Sequence, residues 1–394
     1  MPFEHRAVRA WHVLAGSLAF GVAACAGILG IDDRHLDTSD GGTMQQEGGT
    51  QDGGNQDAPG NGDSPTTSDS PSGDTGVVDA GCDGPCVLAS GLNHPFAMAS
   101  DSNNVYWTEF GDDFGSTNGS VKSCPVSGCG SGPKTIATAQ ANPQAIVVDA
   151  SNVYFSTGGS GTVNAGIFTC PLSGCTGTPM HIVDVGTVYG MTVDATYVYW
   201  ADSYDNTIHR IAKSGGSDSV LYDAGDMTID QPGAVAVDNA FAYVTDVTGS
   251  VFKEPIGGGS PVKMAGPMTS GFWPIRVDAV QVYYGAGGGI VALSKNATNG
   301  GPFIATQIPN PQGMTLDPAT ERLYWADLGS GTGNDGTIGR VGVDGGGQQV
   351  LASSVIVPYD VTVSGPYVLW ISNGVPGDSG STDPNTGQVL RLPK

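Results

Sequence analysis

Tyr189-Gly190-Met191-Thr192-Val193-Asp194-Ala195-Thr196-Tyr197-Val198-Tyr199-Trp200-Ala201-Asp202 is followed by Thr207-Ile208-His209-Arg210-Ile211 and Gly215-Gly216. It reads as a strand, an Asp-led turn, a strand ending in an aromatic pair, a loop, a third strand and a Gly turn. The pattern returns six more times. Leading positions fall at Pro95, Pro143, Gly190, Pro232, Pro274, Pro311 and Pro358. Shortly after each the chain turns apolar, as in Ala145-Ile146-Val147-Val148 and Ala234-Val235-Ala236-Val237. Strands apolar on both sides are packed on both faces. Asp101, Asp149, Asp194, Asp238, Asp278 and Asp317 then start turns, with Ser364 in the seventh copy; a carboxylate suits a tight turn because it accepts backbone N–H groups. Val105-Tyr106-Trp107, Val153-Tyr154-Phe155, Leu323-Tyr324-Trp325 and their counterparts follow, aromatic and β-branched and therefore strand.

Short antiparallel strands in fours, repeated seven times, predict an all-β, seven-bladed β-propeller over residues 82–394, with a six-bladed ring and one degenerate unit as the alternative. No blade can cover both of its faces alone, and the ring must close. The last repeat stops at Val389-Leu390-Arg391-Leu392, one strand short. Val87-Leu88-Ala89-Ser90 precedes the first repeat without a partner and resembles Val350-Leu351-Ala352-Ser353, the fourth strand of the sixth unit. The N-terminal strand is expected to complete the last blade.

The chain has 394 residues, 62 of them Gly, only 13% charged residues and a net charge of -23. No Lys/Arg patch exists to neutralise phosphates, so nucleic acid is excluded as a partner. An anionic membrane surface would repel such a chain, so membrane attachment requires an inserted or covalent anchor. Arg6 and Arg9 precede an apolar run from Trp11 to Ala24 that is short for a membrane span. It ends Val22-Ala23-Ala24-Cys25, which resembles a bacterial lipobox. That resemblance implies a signal peptide over residues 1–25, lipid on Cys25 and, with Ala26 rather than Asp next, the outer membrane of a Gram-negative bacterium. Residues 26–81 read as a disordered Gly/Asp/Ser-rich tether with too few apolar side chains to offset the entropy of ordering. Its later part, the roughly 45 residues from 37 to 81, spans roughly 40 Å as a flexible chain.

Tyr199 to Asp202, Tyr324 to Asp327 and Tyr106-Trp107-Thr108-Glu109 resemble the YWTD propeller repeats of lipoprotein receptors, and the wider pattern is similar to NHL-type bacterial propellers. The resemblance covers residues 86–394. It implies a fold and leaves function open, because this architecture hosts hydrolases, lyases and pure binding modules.

Apart from Cys25, six cysteines fall into neighbouring pairs: Cys82 with Cys86, Cys124 with Cys129, and Cys170 with Cys175. The last two pairs flank matching Pro-Val/Leu-Ser-Gly turns that bring the sulfurs together across a hairpin. An exported chain meets an oxidising compartment, so three local disulfides are expected. Zinc would need four ligands from these pairs, which lie on adjacent blades without a His beside them.

Catalytic motifs are sparse. Gly377-Asp378-Ser379-Gly380 matches the segment around the nucleophile of chymotrypsin-like proteases, but no matching His segment accompanies it, so it reads as loop. Asp112-Asp113, Asp202 to Asp205 and Asp327 to Asp335 read as solvated turns; none has the spacing of a calcium loop, and no metal or other cofactor is expected, calcium being the alternative. The positions just before each first strand, His94, Asn142, Tyr189, Gln231, Trp273, Asn310 and Val357, are expected to meet around one mouth of the central channel. All but Val357 are polar or aromatic, suited to a small molecule or glycan, and solvated loop residues are the alternative. Two functions follow. One is a membrane-anchored, monomeric, non-enzymatic module that binds a protein, peptide or glycan at the cell surface. The other is a propeller hydrolase or lyase of the lactonase or virginiamycin-lyase kind, with carboxylates, Asn and His around a channel metal. The mouth set contains one His, two Asn and no carboxylate, which favours binding.

Overall fold

The computed structural model describes residues 84–158, 165–222, 229–269, 271, 273–331, 333–374 and 385–394. Cys25, the 26–81 segment, Cys82 and Gly377 to Gly380 lie outside them. The described residues form seven four-stranded antiparallel sheets and no helix. Each inner strand touches the inner strands of the blades before and after it, and the seventh touches the first. The ring has seven blades, not six.

Both ends of the propeller build the last blade. Cys86–Leu92 pairs with Gly387–Pro393, matching Val87 to Leu390 and Ala89 to Val389. This is the closure expected from Val87 to Ser90.

The repeated aromatic pair is explained by strand geometry. Successive side chains leave a strand on opposite faces. Tyr154 accordingly joins the core shared with the third blade, where it meets Trp200, while Tyr199 joins the core shared with the fourth. Seven such apolar clusters occur, one per blade interface. Trp107, Trp200, Trp325 and Trp370 are buried in them. These indoles hold the blades together and are not ligand contacts.

The Asp-led turns are tighter than their sequence suggests. In Asp194, Oδ1 accepts the backbone N–H of Thr196 and Tyr197, and Oδ2 accepts the Tyr199 hydroxyl at 2.7 Å. Asp101, Asp149, Asp238 and Asp278 repeat this with Tyr106, Tyr154, Tyr243 and Tyr283. Lysines then tie neighbouring blades together: Lys213 to Asp149 at 2.8 Å, Lys295 to Asp238 at 2.7 Å and Lys394 to Asp317 at 2.7 Å.

Two of the expected disulfides are present, Cys124–Cys129 and Cys170–Cys175, with Cα–Cα separations of 5.1 and 5.2 Å. The expected Cys82–Cys86 pair involves a residue outside the described set.

Candidate ligand site in the central channel

Inner strands here do not run straight. Pairing with the second strand slips between Pro95 and Met98, Val188 and Gly190, Pro232 and Ala234, Pro311 and Gly313, and Pro358 and Asp360. A β-bulge leaves a residue out of the ladder and re-aims its side chain. The residues that these bulges pass over include Phe96, Tyr189, Gly233, Gln312 and Tyr359, and all five line a central cavity of about 440 Å³.

One wall of that cavity is aromatic. Tyr359 and Phe96 have ring centroids 5.4 Å apart, Phe96 and Phe110 6.1 Å, and Phe110 and Phe114 5.0 Å, the last pair edge to face. The series runs from buried Tyr359 to Phe114, which is 48% exposed at the mouth. Deeper in, the lining is small. The register aligns Ala97, Ala145, Gly190, Ala234, Pro274 and Gly313 with Asp360, and Ala99, Val147, Thr192, Ala236, Thr315 and Thr362 with Arg276. At Gly313 the neighbouring strand comes so close that an added Cβ would stand 2.6 Å from the Asp360 Cα and 2.7 Å from its Oδ1. Only a glycine lets the Asp360 strand lie there.

Asp360 and Arg276 are the charged residues of the described lining. Asp360 Oδ2 accepts the Met98 N–H at 2.9 Å and Oδ1 that of Val361 at 2.8 Å. Burial pushes its carboxyl up to about 6, opposed by the Met98 amide, Arg276 and the Val361 amide. Burial also lowers Arg276, with Asp360 opposing, but a guanidinium stays charged in proteins. Among the described residues its side chain makes one hydrogen bond, from Nη1 to the Ile275 carbonyl at 2.7 Å. Both groups keep surface facing the channel while lying deep in the ring.

Of the seven residues expected at the mouth, Tyr189 lines the cavity. The other six do not, and the reason is register. The core residues Met98, Met191, Val235, Ile275 and Met314 align across the blades. They place Val188, not Gly190, level with Pro95, and Pro274 level with Gly313 rather than with Pro311. His94, Asn142, Gln231 and Val357 have φ of 50, 44, 45 and 40°, a left-handed turn into the inner strand two residues before the layer that faces the channel. His94 Nδ1 lies 3.0 Å from the Gly111 carbonyl. Asn142 is 1% exposed and donates to the Phe110 and Asp113 carbonyls while accepting from Gly115 N, so it fixes the loop that carries Phe114. The Asn310 side-chain oxygen accepts from Gln312 Nε2 at 2.7 Å and so orients a residue of the lining. The Gln231 backbone N–H donates to Asn206 Oδ1, and buried Trp273 donates its indole N–H to the Thr269 carbonyl. Phe96, Gln144, Gln312 and Tyr359, which sequence reading missed, each follow directly after a repeat proline. That position was the available signal.

The acids of the Tyr-Trp-Ala-Asp copies are structural. Asp202 takes the N–H groups of Gly186 and Thr187, Asp327 that of Asn310, and Glu109 that of Asn93, each from the segment leading into the same blade's inner strand. Burial raises the Asp202 and Asp327 carboxyls against these bonds, with Asp205 and Asp335 adding like charge. Among the described residues no group of three or more His, Cys, Asp or Glu is placed to hold a metal ion. The described lining offers one carboxylate and no His, so it does not fit a channel metal centre.

No protein-family model matches the sequence. Among solved structures the chain is similar to a streptogramin B lyase, at 14% identity and a TM-score of 0.56, over 78% of this chain and 96% of that one. It is also similar to the virginiamycin B lyase from Staphylococcus aureus, at 16% identity and a TM-score of 0.55, over 78% and 98%. At such identity the likeness shows a shared β-propeller fold and nothing of the chemistry.

Proposed function

We propose that the chain is a surface-anchored, extracytoplasmic binding module whose central channel takes a small ligand, or an apolar group of a peptide or glycan. One observation carries this reading: the aromatic wall from Phe114 through Phe110 and Phe96 to Tyr359, in a cavity of drug-like size. Flat rings in edge-to-face and tilted contact present apolar faces at low entropic cost to a ligand. The Val22 to Cys25 sequence supports a lipid anchor, and two local disulfides agree with an oxidising compartment. The enzyme alternative lacks support in the described lining, where no His and a single carboxylate are available for acid–base or metal chemistry.

The test is a fluorescence titration with N-phenyl-1-naphthylamine, an uncharged aromatic probe. Saturable binding to the parent protein, weakened about tenfold or more in Phe96→Ala and less in Phe114→Ala, is expected. Affinity indifferent to both changes, with near-UV circular dichroism unaltered, would rule out the channel. A stoichiometric divalent ion found by elemental analysis of the folded domain would favour the lyase-like alternative instead.

A further inference from the structure

Resting on the channel reading above, we infer that the channel ligand is an organic anion: an apolar, ring-bearing body whose carboxylate or sulfonate is received by Arg276. The inner strands supply small or β-branched side chains at the Arg276 level in the other six blades, so the guanidinium is the one long side chain reaching into that layer. It spends one N–H on the Ile275 carbonyl, and a guanidinium has five in a planar fork matched to an oxyanion. Asp360, the only other charge of the described lining, is already engaged at both oxygens by the Met98 and Val361 amides. The charged donor capacity left over in the described lining is therefore that of Arg276. It lies below an aromatic wall that would hold the rest of the molecule. The protein's outer charge is strongly negative, so an anion is drawn by this local site and not by the general field.

A matched pair of probes separates this inference from the reading beneath it. 1-Anilinonaphthalene-8-sulfonate and N-phenyl-1-naphthylamine share one aromatic body and differ by the sulfonate. The parent protein should bind the sulfonate about tenfold or more tightly than its uncharged partner, as charge-assisted hydrogen bonds require. In Arg276→Met combined with Asp360→Asn, which leaves no unpaired charge in the channel, that preference should vanish while the uncharged probe still binds. Asp360→Asn alone should tighten the sulfonate several-fold, an effect that a merely structural Asp360 would not produce. If the uncharged probe binds through Phe96 but the sulfonate is no tighter, the anion inference fails and the channel reading stands. If neither probe responds to Phe96→Ala, both fail. A preference for the sulfonate that persists in the double variant would also overturn the role of Arg276.

Discussion

The Tyr199 hydroxyl illustrates how a buried polar atom is kept satisfied. It donates to Asp194, whose carboxyl would be raised by burial but is held down by the Tyr197 amide, this hydroxyl and the Thr196 amide. Burial and the same carboxylate push the phenol up to about 12. In the sixth blade the turn is longer, Asp317 is taken by Thr320 and Lys394, and the Tyr324 hydroxyl is buried without a partner. Tyr199→Phe should therefore cost ~1–2 kcal/mol in denaturant unfolding, whereas Tyr324→Phe should cost nothing or stabilise. Equal losses would show that the Tyr–Asp bond contributes nothing beyond ring packing. A second residue breaks the blade pattern outright. Glu254 is fully buried, with no partner for either oxygen. It pairs opposite Ala242, where other blades carry Ile211, Leu293, Val341 and Leu392 against a larger residue. Burial pushes its carboxyl up to about 7. A raised acid keeps the folded state protonated, so stability is full below the unfolded value and falls as pH rises through about 7. Glu254→Leu should flatten that fall, stabilising by ~2–3 kcal/mol more at pH 8 than at pH 4. A gain identical at both pH values would mean that the carboxyl does not titrate in the fold.

At the scale of the strand, the bulge decides what reaches the channel. The repeat period, the Asp turns and the alternating aromatic pair were legible because each reflects local chemistry: strand parity, Asx turns and paired burial. The prolines were legible too, but not their consequence. An inner strand that slips one register after Pro311 turns Gln312 toward the axis, and nothing in composition announces the slip. Counting from apparent leading residues chose the left-handed residues two positions earlier, and reached Tyr189 through a misaligned third repeat. Arg276 and Asp360 stayed invisible because they come from different blades and line the same cavity only through the ring arrangement of the inner strands. The Cys hairpins were legible for the opposite reason, since a Pro-x-Ser-Gly turn brings its own ends together within 5.1 and 5.2 Å. Their contribution is correspondingly local. Replacing Cys124 and Cys129 together by Ala should lower unfolding free energy by ~2 kcal/mol or less, because so short a loop removes little entropy from the unfolded chain. A loss well above that would mean that the bond braces a neighbouring blade, as the matching turn of the second blade does through the Cys175 backbone N–H donated to the Ile136 carbonyl of the first.

At the largest scale the decisive contact joins the two ends of the propeller. Repeat arrays are held by nearest-neighbour interfaces, so an open array can fray from either end. Closing the ring removes those ends, and here the seal is a single outer strand: Cys86–Leu92 laid along Gly387–Pro393. Leu92 and Ala89 are buried in the cluster shared by the seventh and first blades, beside Val389 and Ile371. Arg391, 4% exposed, reaches across to donate to the Val126 carbonyl of the first blade. Removing residues 82–92 would strip a row of ladder bonds and apolar cover from the seventh blade and reopen both ends. That truncation should cost at least ~3 kcal/mol and broaden the thermal transition. Removing residues 37–81, a segment with scarcely an apolar side chain, should leave the melting temperature within about 2 °C. Differential scanning calorimetry of the two truncations decides the matter. Indistinguishable transitions would mean that the ring stays shut through the inner strands alone, with the terminal strand as ornament to a circle already closed by Pro358–Ser364 against Pro95–Ser100.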